Sequence, residues 1–245
     1  MGRSRDVTGA PRRLSPELRI EQIVDEARRF FAENGFSGST RALAARMGVT
    51  QALLYRYFPA KRDLIDRVFV TTFAEPWDTA WDALLSDRRI DLGVRLTRFY
   101  QSYHGRSSPD RIRLWMRANL EGVDFASRYS GPLTGRILGP IVGELRNLLR
   151  LPDLASKPLM RGERELVMVL HGGIAFLGIR RHLYRTPFPD GVDDLIALHV
   201  RAVLPGLQAE MARLHGPDAS PVLTRPAAPS PQVVKASRRG PTWKR

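Results

Sequence analysis

Apolar residues recur at helical spacing along most of the chain, and no run alternates convincingly with period two. The first stripe is Ile20, Ile23, Val24, Ala27, Phe30 and Phe31. Ser15 precedes it as a cap, and Pro16 takes the first helical position, where its missing N–H costs nothing. Gly35 ends this helix. Ser39 and Thr40 open the next, which carries Leu43, Ala44 and Met47 on one face. Gly48 closes it, because glycine adopts the left-handed cap conformation cheaply. Thr50 caps a second short helix, Gln51 to Phe58, stopped by Pro59. Lys61 then begins a helix through Asp63, Leu64, Ile65 and Val68 to about Phe73. The first stripe should pack on Leu43, Met47 and Leu54. Two short helices around a glycine-containing turn predict a helix-turn-helix, whose second helix enters the DNA major groove.

Beyond a break at Glu75-Pro76 the helical periodicity continues. Trp77, Ala80, Trp81, Leu84 and Leu85 mark one amphipathic helix, and residues 92–103 mark another that ends around Gly105. Pro109 starts a helix expected over residues 110–126. Gly131-Pro132 breaks the chain before a helix over residues 133–150, with Gly139-Pro140 as the expected kink. Two long helices, residues 163–183 and 192–214, flank a loop containing Pro187-Phe188-Pro189. The chain is therefore expected to be all-α: a three-helix helix-turn-helix domain at 15–62, then a helical domain at 63–215. Residues 1–14 read as a disordered basic arm and 216–245 as a disordered, basic, proline-rich tail.

Charge widens the choice of partner. The net charge of +14 favours a polyanion, but the excess is spread nearly evenly over residues 1–75, 76–215 and 216–245. The arm invites contact with phosphates or the minor groove. The tail, with Lys235, Arg238, Arg239, Lys244 and Arg245 around Trp243, could tether DNA without reading it. The absence of cysteine removes disulfides, thiolate catalysis and cysteine metal sites. His104, His171, His182, His199 and His215 are scattered without metal-ligand spacing, and no glycine-rich phosphate loop occurs. His171-Gly172-Gly173 is only a faint likeness of an oxyanion-hole turn, and Gly35-Phe36-Ser37-Gly38 fails as a nucleophile elbow because position 39 is Ser, not Gly, in a helix-rich context. No enzyme, cofactor or metal is expected. Residues 1–16 lack the apolar stretch of a signal peptide, and the longest apolar run, Leu166 to Ile179, is interrupted by His171 and shorter than a bilayer span. A cytoplasmic location without a membrane partner is expected.

Residues 17–70 resemble the DNA-binding domain of the TetR (tetracycline-repressor-like) family of bacterial transcriptional regulators. The resemblance rests on Ile23, Ala27 and Phe31, then Asn34-Gly35-Phe36, Thr40-Arg41-Ala42-Leu43-Ala44 and Gly48-Val49-Thr50. It continues through Leu54-Tyr55-Arg56-Tyr57-Phe58, Lys61 and Leu64. Family members often carry Gly or Pro where this chain has Ala52, and a small polar residue where it has Leu53. Both positions are expected to be exposed near the front of the recognition helix, so no operator sequence carries over.

The residues divide into those that position the head and those that read sequence. The Thr40 and Tyr57 hydroxyls, the Lys61 ammonium and the first amides of the helices are candidate phosphate partners, with Ser39 and Thr50 at those helix starts. Gln51 suits an adenine edge, Leu53 a thymine methyl, and Arg56 guanine or phosphate, while Arg41 suits either and Ala52 lies beside them. The resemblance places Tyr55 against the DNA backbone. It also implies a homodimer built on the helix pair 163–183 and 192–214, and a small-molecule effector within the helical domain that moves the heads through residues 63–75. Candidate effector contacts are Trp81, Tyr103, Trp115, Met116, Phe125, His171 and Phe176. The expected function is a ligand-responsive repressor acting on a double-stranded DNA operator. Two alternatives stay open: a non-specific nucleic-acid binder driven by charge and tail, and a regulator whose C-terminal domain binds a protein.

Overall fold

A computed structural model describes residues 15–74, 77–124, 131–184 and 187–216, and among these all regular structure is helical. The arm of residues 1–14, the break at Glu75-Pro76 and the tail beyond Gly216 lie outside the described residues. The Ser15 hydroxyl accepts the Leu18 N–H at 3.3 Å, and α1 (Pro16–Asn34) runs until Gly35 turns the chain at a φ of 77°. Ser39 caps α2 (Thr40–Arg46) by accepting from the Ala42 N–H, and Thr50 caps α3 (Gln51–Tyr57) by accepting from the Leu53 N–H. Gly48, at a φ of 65°, makes the turn between them. Asp63 accepts the Ala60 N–H at the start of α4 (Lys61–Phe69), which passes into a π-helical turn, Val70–Ala74.

The second half continues with α5 (Thr79–Ser86), α6 (Leu92–Gly105), α7 (Pro109–Leu120) and α8 (Gly139–Leu148). Last come α9 (Arg161–Ile179), extended by a π-helical turn to Tyr184, and α10 (Val192–His215). Two of these differ from expectation. The apolar spacing of residues 110–126 persists to Phe125, yet α7 stops at Leu120. Gly122 takes a φ of 68°, and the Val123 N–H folds back onto the Ala118 carbonyl, satisfying an orphan acceptor of the last turn. At Gly139-Pro140 the helix changes type: a π-helical turn, Thr134–Leu138, ends where the Gly139 N–H meets the Thr134 carbonyl. A Cβ at Gly139 would lie 3.0 Å from that oxygen, so the glycine permits the tight turn.

The buried side chains form two cores. In the first, Ile23, Ala27 and Phe31 of α1 pack on Leu43, Leu54, Leu64 and Val68, with Ile20 and Met47 at the edge. Leu114 and Ala118 of α7 complete this core. The second gathers Leu96, Phe99 and Tyr100 of α6 with Val142 and Leu145 of α8, Val167 and Leu170 of α9, and Ile196 and Val200 of α10. The apolar run Leu166 to Ile179 sits inside a longer helix, Arg161–Tyr184, which by length and composition could cross a membrane. In this fold α9 instead sends Val167, Leu170 and Ile174 into the second core.

One ion pair is wholly enclosed in that half. Arg146 of α8 and Glu163 of α9 are both 0% exposed, joined by two bonds of 2.6 Å. The remaining guanidinium donors reach the carbonyls of Pro152, Asp153, Lys157 and Pro158. Glu163 also accepts from the Met160 N–H and contacts His215 Nε2 at 2.8 Å. Burial alone would raise the Glu163 pKa, but these bonds outweigh it and hold the carboxyl below its ordinary value. Glu163→Ala leaves a buried cation unpaired and is expected to cost about 3–5 kcal/mol in urea denaturation. The paired apolar replacement Arg146→Met with Glu163→Leu is expected to cost much less.

Candidate nucleic-acid interface and the cavity behind it

The packing of α2 against α3 brings three side chains together that are far apart in sequence. Gln51 Nε2 donates to Thr40 Oγ1 at 2.9 Å, and Tyr55 Oη lies 3.1 Å from the same oxygen. Thr40 is buried, so its hydroxyl serves Gln51 and Tyr55 in this arrangement. Tyr55 itself is 39% exposed and shares the outer face of α3 with Ala52 and Arg56, while Arg41 projects from α2. Leu53, expected to be exposed, is half-buried, as are Gln51 and Lys61; Tyr57 packs against the head core. Ser39 and Thr50 are exposed and spend their hydroxyls on capping.

Electrostatics sort the arginines of this head. Arg46 is engaged by Glu26 and Glu33, and its hydrogen bond holds the Glu33 carboxyl below the usual range. Among the described residues Arg41 and Arg56 make no ion pair, so their charge is available to phosphate or guanine. The face can thus present one phenol and two guanidinium groups from adjacent helices. The spacing of Gln51 and Tyr55, four residues apart on one helix, was legible in sequence; their meeting with Thr40 required tertiary packing.

The head is fastened to the helical domain by α7. Arg117 donates from Nε to the Ala32 carbonyl at 3.0 Å and from Nη2 to that of Glu33 at 2.7 Å, satisfying acceptors in the last turn of α1. Glu121 accepts the Phe36 N–H at 2.7 Å. A Cβ on Gly35 would run into the Glu121 carboxylate and displace it, while the φ of 77° by itself favours glycine. The spacing of Arg117 and Glu121, i and i+4 along the chain, carries no sign of this contact with α1.

Behind this junction lie two adjoining cavities of about 170 and 200 Å³, both walled by Phe73, Tyr103, Arg111 and Leu133. Trp81 lines the first, Tyr103 both, and Trp115 and His171 the second. The structure thus brings together four of the seven side chains expected at an effector site. Met116 is not among the lining residues, Phe176 is exposed against Tyr184, and Phe125 lies outside the described residues. Sequence reading missed Phe73, Trp77 and Arg111, whose convergence depends on how α4 and α7 pack.

His171 is 5% exposed, and its Nδ1 has no hydrogen-bond partner among the described residues. Burial pushes its pKa down from 6.5 to about 4. Between those values the unfolded chain binds the proton more readily than the folded one, so stability falls as pH drops from 6.5 towards 4. The contribution lost is up to about 3 kcal/mol. His171→Leu is expected to flatten the pH dependence of unfolding in this window, as read by denaturant titrations at successive pH values.

Residues 23–68 match the family described as bacterial regulatory proteins, tetR family. No curated protein shows significant similarity to the chain. Among solved structures, a TetR-family transcriptional regulator from Streptomyces coelicolor aligns over 82% of this chain and 88% of its own, with 17% identity and a TM-score of 0.53. A proposed TetR-family transcriptional regulator from Mesorhizobium loti aligns over 81% and 98%, with 13% identity and a TM-score of 0.50. At such identities the structural likeness is one of fold. The matched segment contains both helices of the helix-turn-helix, so residues 23–68 form a domain of the tetR family of bacterial regulatory proteins, and the chain as a whole shares the fold of TetR-family structures.

Proposed function

We propose that the protein is a cytoplasmic repressor that binds a specific operator as a homodimer and releases it when a small molecule enters the helical domain. Residues 15–62 serve as the reading head and 63–215 as the effector and dimerisation domain. The observation that carries the DNA-binding reading is the outer face of α3, where Tyr55 and Arg56 stand exposed beside Arg41 while Leu54 anchors the helix in the core. On this reading Gln51, Ala52 and Leu53 meet base edges. The Tyr57 hydroxyl, Lys61 and the starts of α2 and α3 meet phosphates.

Dimerisation is supported by the outer surface of α9 and α10. Only 28% of the most apolar stretch of Arg161–Tyr184 is buried within the single chain, and Val169 and Leu198 are exposed. Pairing this helix pair with a second copy gives a four-helix bundle with two-fold symmetry, placing two heads on successive major grooves roughly 34 Å apart or more. Effector response is supported by the position of the cavity against Phe73, in the π-helical turn that continues α4 from the head. A ligand that binds the dimer better in one head spacing shifts the population towards it.

Fluorescence anisotropy on the duplex upstream of the coding region, with random competitor at physiological salt, tests the first part. Wild type is expected to favour that duplex by ~10³-fold or more, and Tyr55→Ala to lose at least about tenfold. Equal binding to random duplex, abolished by deleting residues 216–245, would make the protein a charge-driven binder at this site. Sedimentation equilibrium tests the dimer: wild type is expected to sediment as two copies, and Val169→Asp with Leu198→Asp as one. A monomeric wild type would overturn that assignment.

A further inference from the structure

The cavity has a definite charge as well as a shape. Three guanidinium groups stack on its aromatic walls: Arg106 over Trp81 at 4.4 Å, Arg111 over Phe73 at 4.9 Å and Arg136 over Trp77 at 5.4 Å. None of the described lining residues is Asp or Glu. Arg106 is balanced by Asp78 at 2.8 Å. Arg111 bonds the Thr72 carbonyl at 2.6 Å, a dipole that leaves its full charge uncompensated, and Arg136 makes no ion pair among the described residues. Cation–π attraction holds each guanidinium at the aromatic wall, and its fork of donors suits a planar acceptor. Further in, the walls are aromatic and aliphatic, and His171 Nδ1 is buried without a partner.

We infer that the effector is an amphipathic carboxylate, its apolar body lying between Phe73, Tyr103 and Trp115 and its anionic end held by Arg111 and Arg136. This rests on the reading of the cavity as an effector site and narrows it to one ligand class. A carboxylate offers two oxygens to a guanidinium fork and matches the excess charge. A neutral apolar ligand would leave two arginines facing an uncharged surface. His171 supplies one hydrogen-bonding position at the far end, for a polar substituent on the body.

Arg111 gives the anion a route to the head. Its bond to Thr72 ties α7 to the π-helical turn that prolongs α4, and Thr72 is buried with its own hydroxyl unpaired among the described residues. A carboxylate competes with the Thr72 carbonyl for the same donor. Binding therefore loosens the tie between α7 and the end of α4, and by linkage whatever tightens that tie weakens the anion.

Isothermal titration calorimetry on the full chain without DNA tests the class. Phenylbutyrate and octanoate are titrated against their primary amides. The carboxylates are expected to bind at least about tenfold tighter than the amides, since charge-assisted bonds are roughly twice as strong as neutral ones. Arg136→Gln and Arg111→Gln are each expected to bring acid and amide within about threefold, the former at an exposed position that does not support the fold. Amides binding as well as acids would overturn the anionic class while leaving the cavity an effector site. No heat from any of the four at about 10 mM, beyond the millimolar limit of useful affinity, would overturn the effector-site reading too. An acid preference that survives both substitutions would place the anion elsewhere and overturn the assignment.

Discussion

Helix α7 closes the first core with one face and walls the cavity with another, and the arrangement of the molecule depends on that constraint. Leu114 and Ala118 are fully buried in the head core, beside Ile23, Phe31 and Leu64. Arg111, Ile112 and Trp115, on the same helix, wall the cavity on the other side. Arg117 and Glu121 then fasten its end to the last carbonyls of α1 and to the turn that leads into α2. A helix packed into a core on one face cannot shift there without disturbing what its other face lines, because packed interiors tolerate little void. The helix-turn-helix core and the cavity are thus joined both through α7 and through the end of α4, where Phe73 of the cavity wall lies four residues beyond Phe69 of the core.

Aromatic contacts extend this junction from within the head to the cavity wall. Phe69, buried in the head core, packs against Phe73 at 5.4 Å between ring centres, and Phe73 against Trp115 at 5.9 Å. The π-helical turn Val70–Ala74 widens the helix here and swings Phe73 towards α7. The cavity therefore abuts the end of α4, the helix that follows α3 in the chain. The opposite side of the helical domain is held by the enclosed Arg146 and Glu163, whose hydrogen bonds collect the α8–α9 loop and the end of α10 around one charge pair. Such a pair adds little net stability, but every partner must be present for it to be tolerated. It therefore favours one arrangement of those three segments over looser ones.

On the outer side of α2 and α3 the side chains are economical. Thr40 turns inward and orients Tyr55 and Gln51, whereas Glu26 and Glu33 occupy Arg46 and leave Arg41 and Arg56 as the available charges of α2 and α3. Leu53 of α3 is half-buried, so only part of its side chain is open to solvent.

The helix-turn-helix was legible from residues alone because each of its signals is local. Ser15, Ser39 and Thr50 cap their own helices, Gly35 and Gly48 adopt positive φ within their own turns, and the stripe from Ile23 to Phe31 needs only the helical period. The family match follows from those same residues. The long helices from Arg161 and Val192 were equally plain, since each sustains its apolar spacing over several turns. The end of α7 was not, because the apolar spacing runs on past Gly122 and only the backbone turn there stops the helix. Nor was the cavity, because Phe73, Trp77 and Arg111 come from separate segments of the chain and read in sequence as ordinary core or surface. The same holds for Thr40 beside Tyr55, Arg117 beside Ala32 and Arg146 beside Glu163. Periodicity and capping act within a few residues and so leave a mark on the sequence, whereas convergence of distant side chains is decided by how helices pack, and only the tertiary structure carries it.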